Sequence, residues 1–141
     1  MFTECYCTQF RRSANALTSI YDEALRPAGL KITQLTLLRG LDRLKEATYN
    51  EVAAELSLDK TTISRNLKLL IEAGWVQTSS EGDARYKRAS LTDEGRHVLR
   101  DAEPYWLTAQ TQIEKELRQY LNGPAQAVLL QALETLQHVG N

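Results

Sequence analysis

Residues 59–73 interleave two sets of side chains: Ile63, Leu67, Leu70 and Ile71, and Lys60, Thr61, Thr62, Ser64, Arg65 and Lys68. At helical period the first set faces inward and the second is left outward, mostly in the first half of the helix. Hydroxyls and amides at the helix start can fix phosphates, and Arg65 can reach a guanine edge or a phosphate. Taken alone, such a helix is also how an ordinary solvated helix looks. The next segment of the chain tips the balance. Arg85, Lys87 and Arg88 accompany two short β-prone runs, 75–78 and 86–91, with the turn residues Glu81-Gly82-Asp83 between them. A basic hairpin directly after a polar helix start points to nucleic acid. The overall charge of −1 conceals this. Residues 60–88 hold six basic and three acidic side chains, whereas the rest of the chain holds eleven and fifteen.

Cys5 and Cys7 are the second reactive set. A thiolate can be oxidised or can bind a metal. At 100° per residue, Cys7 joins a stripe with Phe10, Ala14, Leu17 and Tyr21, and Cys5 falls on the opposite side. Thiols so placed do not readily bond each other within a regular helix. A buried Cys7 would simply be a small hydrophobe. Cys5, Cys7, His97 and His138 are too scattered for a zinc site. With two histidines, no glycine-rich phosphate loop and no nucleophile-base-orienter set, neither an enzyme nor a cofactor is expected.

The elements that must position these groups are mostly helices. A first helix carries the Cys7 stripe and ends at Pro27 and Gly29. A second begins near Thr33 with Leu37, Leu38, Leu41 and Leu44. A third begins at Thr48, with Glu51 at the capping-box position, and buries Val52, Ala53 and Leu56. Asp59 caps the fourth and Gly74 stops it. Thr92-Asp93-Glu94 opens a fifth that reaches about Leu121, with a kink or break expected at Pro104. Asn122-Gly123-Pro124 restarts a sixth, with Leu129, Leu133 and Leu136 on its stripe. The third and fourth helices, joined by a short turn, form a helix-turn-helix. The expected order is α-α-α-α-β-β-α-α.

The stretch from Leu56 to Gly95 closely resembles MarR-type transcriptional regulators. It supplies a Ser/Thr-rich helix ending in Leu70 and Gly74, then Asp83-Ala84-Arg85, then Leu91-Thr92 with Gly95. The resemblance implies a mainly α winged helix-turn-helix with a small β-wing. The DNA-binding lobe would span about 32–92, and dimerisation helices about 3–28 and 93–139. It implies that Arg85 enters the minor groove, where A·T tracts concentrate negative potential. Asp83 would hold the wing tip by pairing with an arginine. It further implies a homodimer on a pseudopalindromic duplex, acting as a repressor and released by a small aromatic ligand or by cysteine oxidation. In the organic-hydroperoxide-sensing branch a reactive cysteine opens the first helix, with a tyrosine two heptads later. Counted back from Gly29, Cys7 and Tyr21 take those places, and Ile32 stands where a second tyrosine would be. With no distal cysteine, a small thiol, Cys5, or Cys5 of a partner copy would then have to resolve the sulfenic acid.

No run approaches a membrane span, and no export signal opens the chain, so a cytoplasmic protein with reduced thiols is expected. The competing reading is a winged-helix protein-interaction module without DNA binding. It would not require basic side chains on two adjacent elements.

Overall fold

The computed structural model describes residues 3–79 and 86–140. Helix α1 (Tyr6–Leu25) leads through a 3-10 turn (Arg26–Ala28) into α2 (Ile32–Leu44). Then come β1 (Glu46–Thr48), α3 (Tyr49–Leu56), α4 (Lys60–Glu72), β2 (Val76–Ser79), β3 (Arg88–Leu91), α5 (Asp93–Leu117) and α6 (Gly123–Leu136). The chain is mainly α with a small antiparallel sheet, as the sequence implied.

Strand β1 was not expected. It pairs with β3, which also pairs with β2, giving the order β1-β3-β2. Ala47 opposes Ala89, and Val76 opposes Leu91; all four are buried. Strand β3 starts at Arg88 rather than Tyr86. The turn Glu81-Gly82-Asp83 lies outside the described residues.

Side-chain caps fix where the helices begin. Thr48 Oγ1 accepts the Glu51 amide at 3.2 Å, and Glu51 returns the bond to the Thr48 amide at 2.7 Å. Asp59 accepts the Thr62 amide at 2.8 Å. The Thr92 hydroxyl accepts from Gly95 N at 3.0 Å and donates to Gly74 O at 2.7 Å. Each cap satisfies an amide that the helix itself leaves unpaired. Asp22 of α1 accepts the Ile32 amide at 2.8 Å, which ties α1 to the start of α2.

The core gathers Leu25 of α1, Leu35, Leu38 and Leu41 of α2, Val52 of α3, Ile63, Leu67 and Leu70 of α4, and Ala102 of α5. Helix α5 runs unbroken through Pro104, so of the expected kink or break the break does not occur. Proline removes one intrahelical bond, and the packing of α5 against α1 and α2 holds the helix across the gap. Helix α6 has no buried side chain among the described residues and packs substantially on no other element of its own chain. Among the described residues, no helix is long and apolar enough to cross a membrane.

Candidate nucleic-acid interface

Helix α4 divides as its sequence requires. Ile63, Leu67 and Leu70 are fully buried and Ile71 is half-buried. Lys60, Thr61, Ser64, Arg65 and Lys68 are exposed. Among the described residues, Lys60, Arg65 and Lys68 have no acidic partner within salt-bridge distance. Their charge is therefore available to a polyanion. Thr62 is different. It is half-buried, and both its amide and its hydroxyl bond Asp59, the hydroxyl at 2.7 Å. Those two bonds hold the Asp59 carboxyl below the usual range. Thr62 thus builds the helix start rather than extending from it.

Lys87 and Arg88 are exposed at the base of the wing. Arg88 lies in the middle strand, register-paired with both Thr48 and Ser79, and its Nη1 is 3.9 Å from Glu51 Oε2. Lys87 Nζ sits 5.9 Å from the centre of the Tyr49 ring. Asp83 and Arg85 lie outside the described residues.

The proposed sensor residues are not brought together within one chain. Cys7 and Tyr21 sit on the same helix, fourteen positions apart in the sequence, which is about 21 Å along the axis. Cys7 is exposed rather than buried in the apolar stripe, and Phe10 and Leu17 of that stripe are exposed with it. Arg11 Nη2 approaches Cys7 Sγ at 3.9 Å. Cys5 is the N-cap residue of α1. Hydrogen bonding to Thr8 lowers the Cys5 thiol pKa from its ordinary value.

Tyr21 is occupied elsewhere. Its hydroxyl donates to Gln110 Oε1, and its ring stacks on Trp106 with centroids 6.5 Å apart. Burial pushes its phenol pKa up. The Arg39 guanidinium lies 4.1 Å from the Trp106 ring centre and 2.8 Å from Glu103. Beside it a recess of about 430 Å³ opens between α2 and α5, lined by Arg39, Asp42, Arg96, Leu99, Arg100 and Glu103. Sequence reasoning missed this cluster. Its members come from three helices, so no local spacing in the sequence brings them together.

A three-stranded wing behind a helix-turn-helix with a free basic face defines a winged helix-turn-helix protein. Known proteins narrow the class. The profile of the MarR family matches residues 28–85. The HTH-type transcriptional regulator YwoH of Bacillus subtilis, itself uncharacterised, is 34% identical over 86 residues, 61% of this chain and 63% of YwoH. That match spans less than two thirds of the relative's length. The crystal structure of Mycobacterium tuberculosis regulator MosR in complex with DNA is 33% identical, covers 95% of this chain and 94% of MosR, and superposes with a TM-score of 0.79. CouR from Rhodococcus jostii, solved bound to p-coumaroyl-CoA, is 25% identical over 96% of this chain and 92% of CouR, with a TM-score of 0.72. The chain belongs to the MarR family of winged-helix transcriptional regulators, and it is not an enzyme.

Proposed function

We propose that two copies of the chain bind a pseudopalindromic operator in the cytoplasm and repress by occupying it. The observation that carries this reading is the exposed face of α4, where Lys60, Arg65 and Lys68 have no carboxylate partner among the described residues. In this reading α4 lies in the major groove. Lys60, Thr61 and Ser64 contact phosphates, and Arg65 reads a base edge. The wing, with Arg85, follows the adjacent minor groove. The apolar terminal helices, about 3–28 and 93–139, join the copies.

Binding is expected to weaken steeply with salt, because neutralised phosphates release counterions. Arg65→Ala is expected to lose roughly 1–3 kcal/mol of affinity and to relax base choice at one position per half-site. Fluorescence anisotropy on duplexes selected by the wild-type protein reads both. Unchanged affinity in Arg65→Ala, or binding indifferent to salt, would favour a protein-interaction module instead.

We further propose that a small aromatic ligand releases the DNA. The support is the Tyr21–Trp106–Arg39 cluster beside the 430 Å³ recess, a size that suits a small molecule. It joins α1 and α5 to α2, so a ligand there can tilt the lobe against the terminal helices. The aromatic acyl group bound by CouR agrees with this class.

Oxidation is the second reading, favoured by the two exposed thiols at the start of α1 and the lowered pKa of Cys5. The Cys5 thiolate attacks the terminal oxygen of a hydroperoxide; an S–O bond forms and the O–O bond breaks, leaving a sulfenic acid, and the departing alkoxide takes a proton from water to become an alcohol. Here Cys5 takes the part first expected of Cys7. Hydroperoxide should then dissociate the wild-type complex and spare Cys5→Ser in a gel shift. If Cys7→Ser alone is spared, Cys7 is the primary thiol. If both variants respond like wild type, the ligand reading stands alone.

A further inference from the structure

The two wing-base cations, Lys87 and Arg88, are held in unlike ways. Arg88 faces a carboxylate, Glu51 at 3.9 Å, which is already engaged with the Thr48 amide. Lys87 faces the Tyr49 ring at 5.9 Å, and among the described residues it has no acidic partner. An ammonium over an aromatic face is held by the ring quadrupole, yet it keeps its charge and its outward N–H bonds for another acceptor. A salt-bridged cation keeps much less. The same backbone ladder fixes both contacts, because Thr48 and Arg88 are register partners and Tyr49 and Lys87 are their neighbours.

Tyr49 is well placed to hold a neighbour. It is the first residue of α3, half-buried, and packed against the core. Burial pushes its phenol pKa up, so the ring stays neutral. Helix α3 is the first helix of the helix-turn-helix, the one that crosses the sugar–phosphate backbone in such motifs. A cation held at its N-terminal residue therefore meets a phosphate rather than a base edge. A lysine has a long flexible stem, and fixing its head before DNA arrives lowers the ordering cost of the contact.

We propose that Tyr49 is a positioning residue for DNA binding, whose ring holds the Lys87 ammonium at the start of α3 so that it takes one backbone phosphate of the duplex. The proposal rests on the DNA-binding reading of α4 and the wing. It predicts a sequence-independent contact coupled to an aromatic ring that itself touches no DNA.

The test is anisotropy across a salt series, using a labelled duplex of the sequence that the wild-type chain recovers from a random pool. Lys87→Met is expected to weaken binding alike on matched and mismatched duplexes and to lower the slope of log affinity against log salt by roughly one. Tyr49→Leu is expected to weaken binding about threefold, and Tyr49→Phe to restore it. In the Lys87→Met background Tyr49→Leu should add nothing. Melting temperatures report whether each variant is folded, and Lys87→Met, altering one exposed side chain, keeps the test alive if Tyr49→Leu is not. A slope unchanged by Lys87→Met, on a duplex the wild type binds, overturns the proposal and leaves the DNA reading standing. So does a Tyr49→Leu effect equal in both backgrounds, or a Tyr49→Phe as weak as Tyr49→Leu. A wild-type chain that recovers no duplex overturns both.

Discussion

Gly95→Ala is expected to destabilise the chain by about 3 kcal/mol or more, a large share of what a domain of this size possesses. A Cβ at Gly95 would stand 2.0 Å from the Trp75 carbonyl oxygen and 2.9 Å from its carbon. Both are backbone atoms, so no side chain can swing aside. The Trp75 carbonyl is also committed, accepting the Thr92 amide at 3.0 Å, while Trp75 N bonds Leu70 O at 3.0 Å. Relief must therefore separate the end of α4 from the start of α5. It would strain the Thr92 hydroxyl that bridges Gly74 O and Gly95 N at the same point. The melting temperature should fall by about 10 °C, and whatever remains folded should bind DNA poorly, because the joint sets α4 relative to α5. Gly40→Ala is the control. Its Cβ would meet only the Leu56 side chain, at 3.4 Å, and alanine suits a helix interior better than glycine. A Gly95→Ala protein melting within a degree or two of Gly40→Ala would refute the joint.

The joint also marks how far the sequence could be read. Gly95 was legible as part of a Leu-Thr-x-x-Gly pattern, and Thr92 as a helix start. That Gly95 must be glycine because a carbonyl from residue 75 presses on it was not legible. That contact joins two segments separated by the whole wing. Local chemistry was read well for the same reason in reverse. The Thr48–Glu51 box, the Asp59 cap and the stop at Gly74 depend on residues within a turn of each other, so their spacing suffices. Strand β1 escaped because three residues show no alternation, and its existence depends on β3, some forty residues later.

The candidate site divides similarly. The outward face of α4 follows from period alone, and the structure leaves that face exposed. Thr62 was grouped with the DNA contacts because a hydroxyl at a helix start suits both roles; its bonds to Asp59 reveal the capping role. Tyr21 was paired with Cys7 on spacing along one helix. Its hydroxyl and ring instead engage Gln110 and Trp106 across the fold. Spacing along a helix states which residues share a face and says nothing about what that face meets.

Charging α6 with Val128→Glu and Leu130→Glu is expected to abolish dimerisation and to cut operator affinity by roughly 10²–10⁴, the gain that linking two half-site modules provides. In a single chain these side chains are 62% and 63% exposed. For a lone protomer, surface substitutions of this kind fall within about 0.5 kcal/mol, so a large effect has to come from a second copy. The magnitudes say what that copy must cover. Fully burying an aliphatic side chain contributes about 2 kcal/mol. Val128, Leu130 and Leu136 on two copies would then supply at most about 12 kcal/mol, which only matches the roughly 4–15 kcal/mol cost of association. Helix α6 alone would break even. The surplus must come from other exposed apolar groups, among them Tyr6, Phe10 and Leu17 on α1 and Leu107 on α5. A homodimer in the proposed arrangement would then draw on α1 and α5 as well as α6, and removing the contribution of α6 should leave a monomer. Sedimentation equilibrium reads the mass and anisotropy the affinity. A doubly charged variant that remains a dimer with wild-type affinity would place the interface elsewhere, and a wild-type chain that sediments as a monomer while binding its operator would end the homodimer reading.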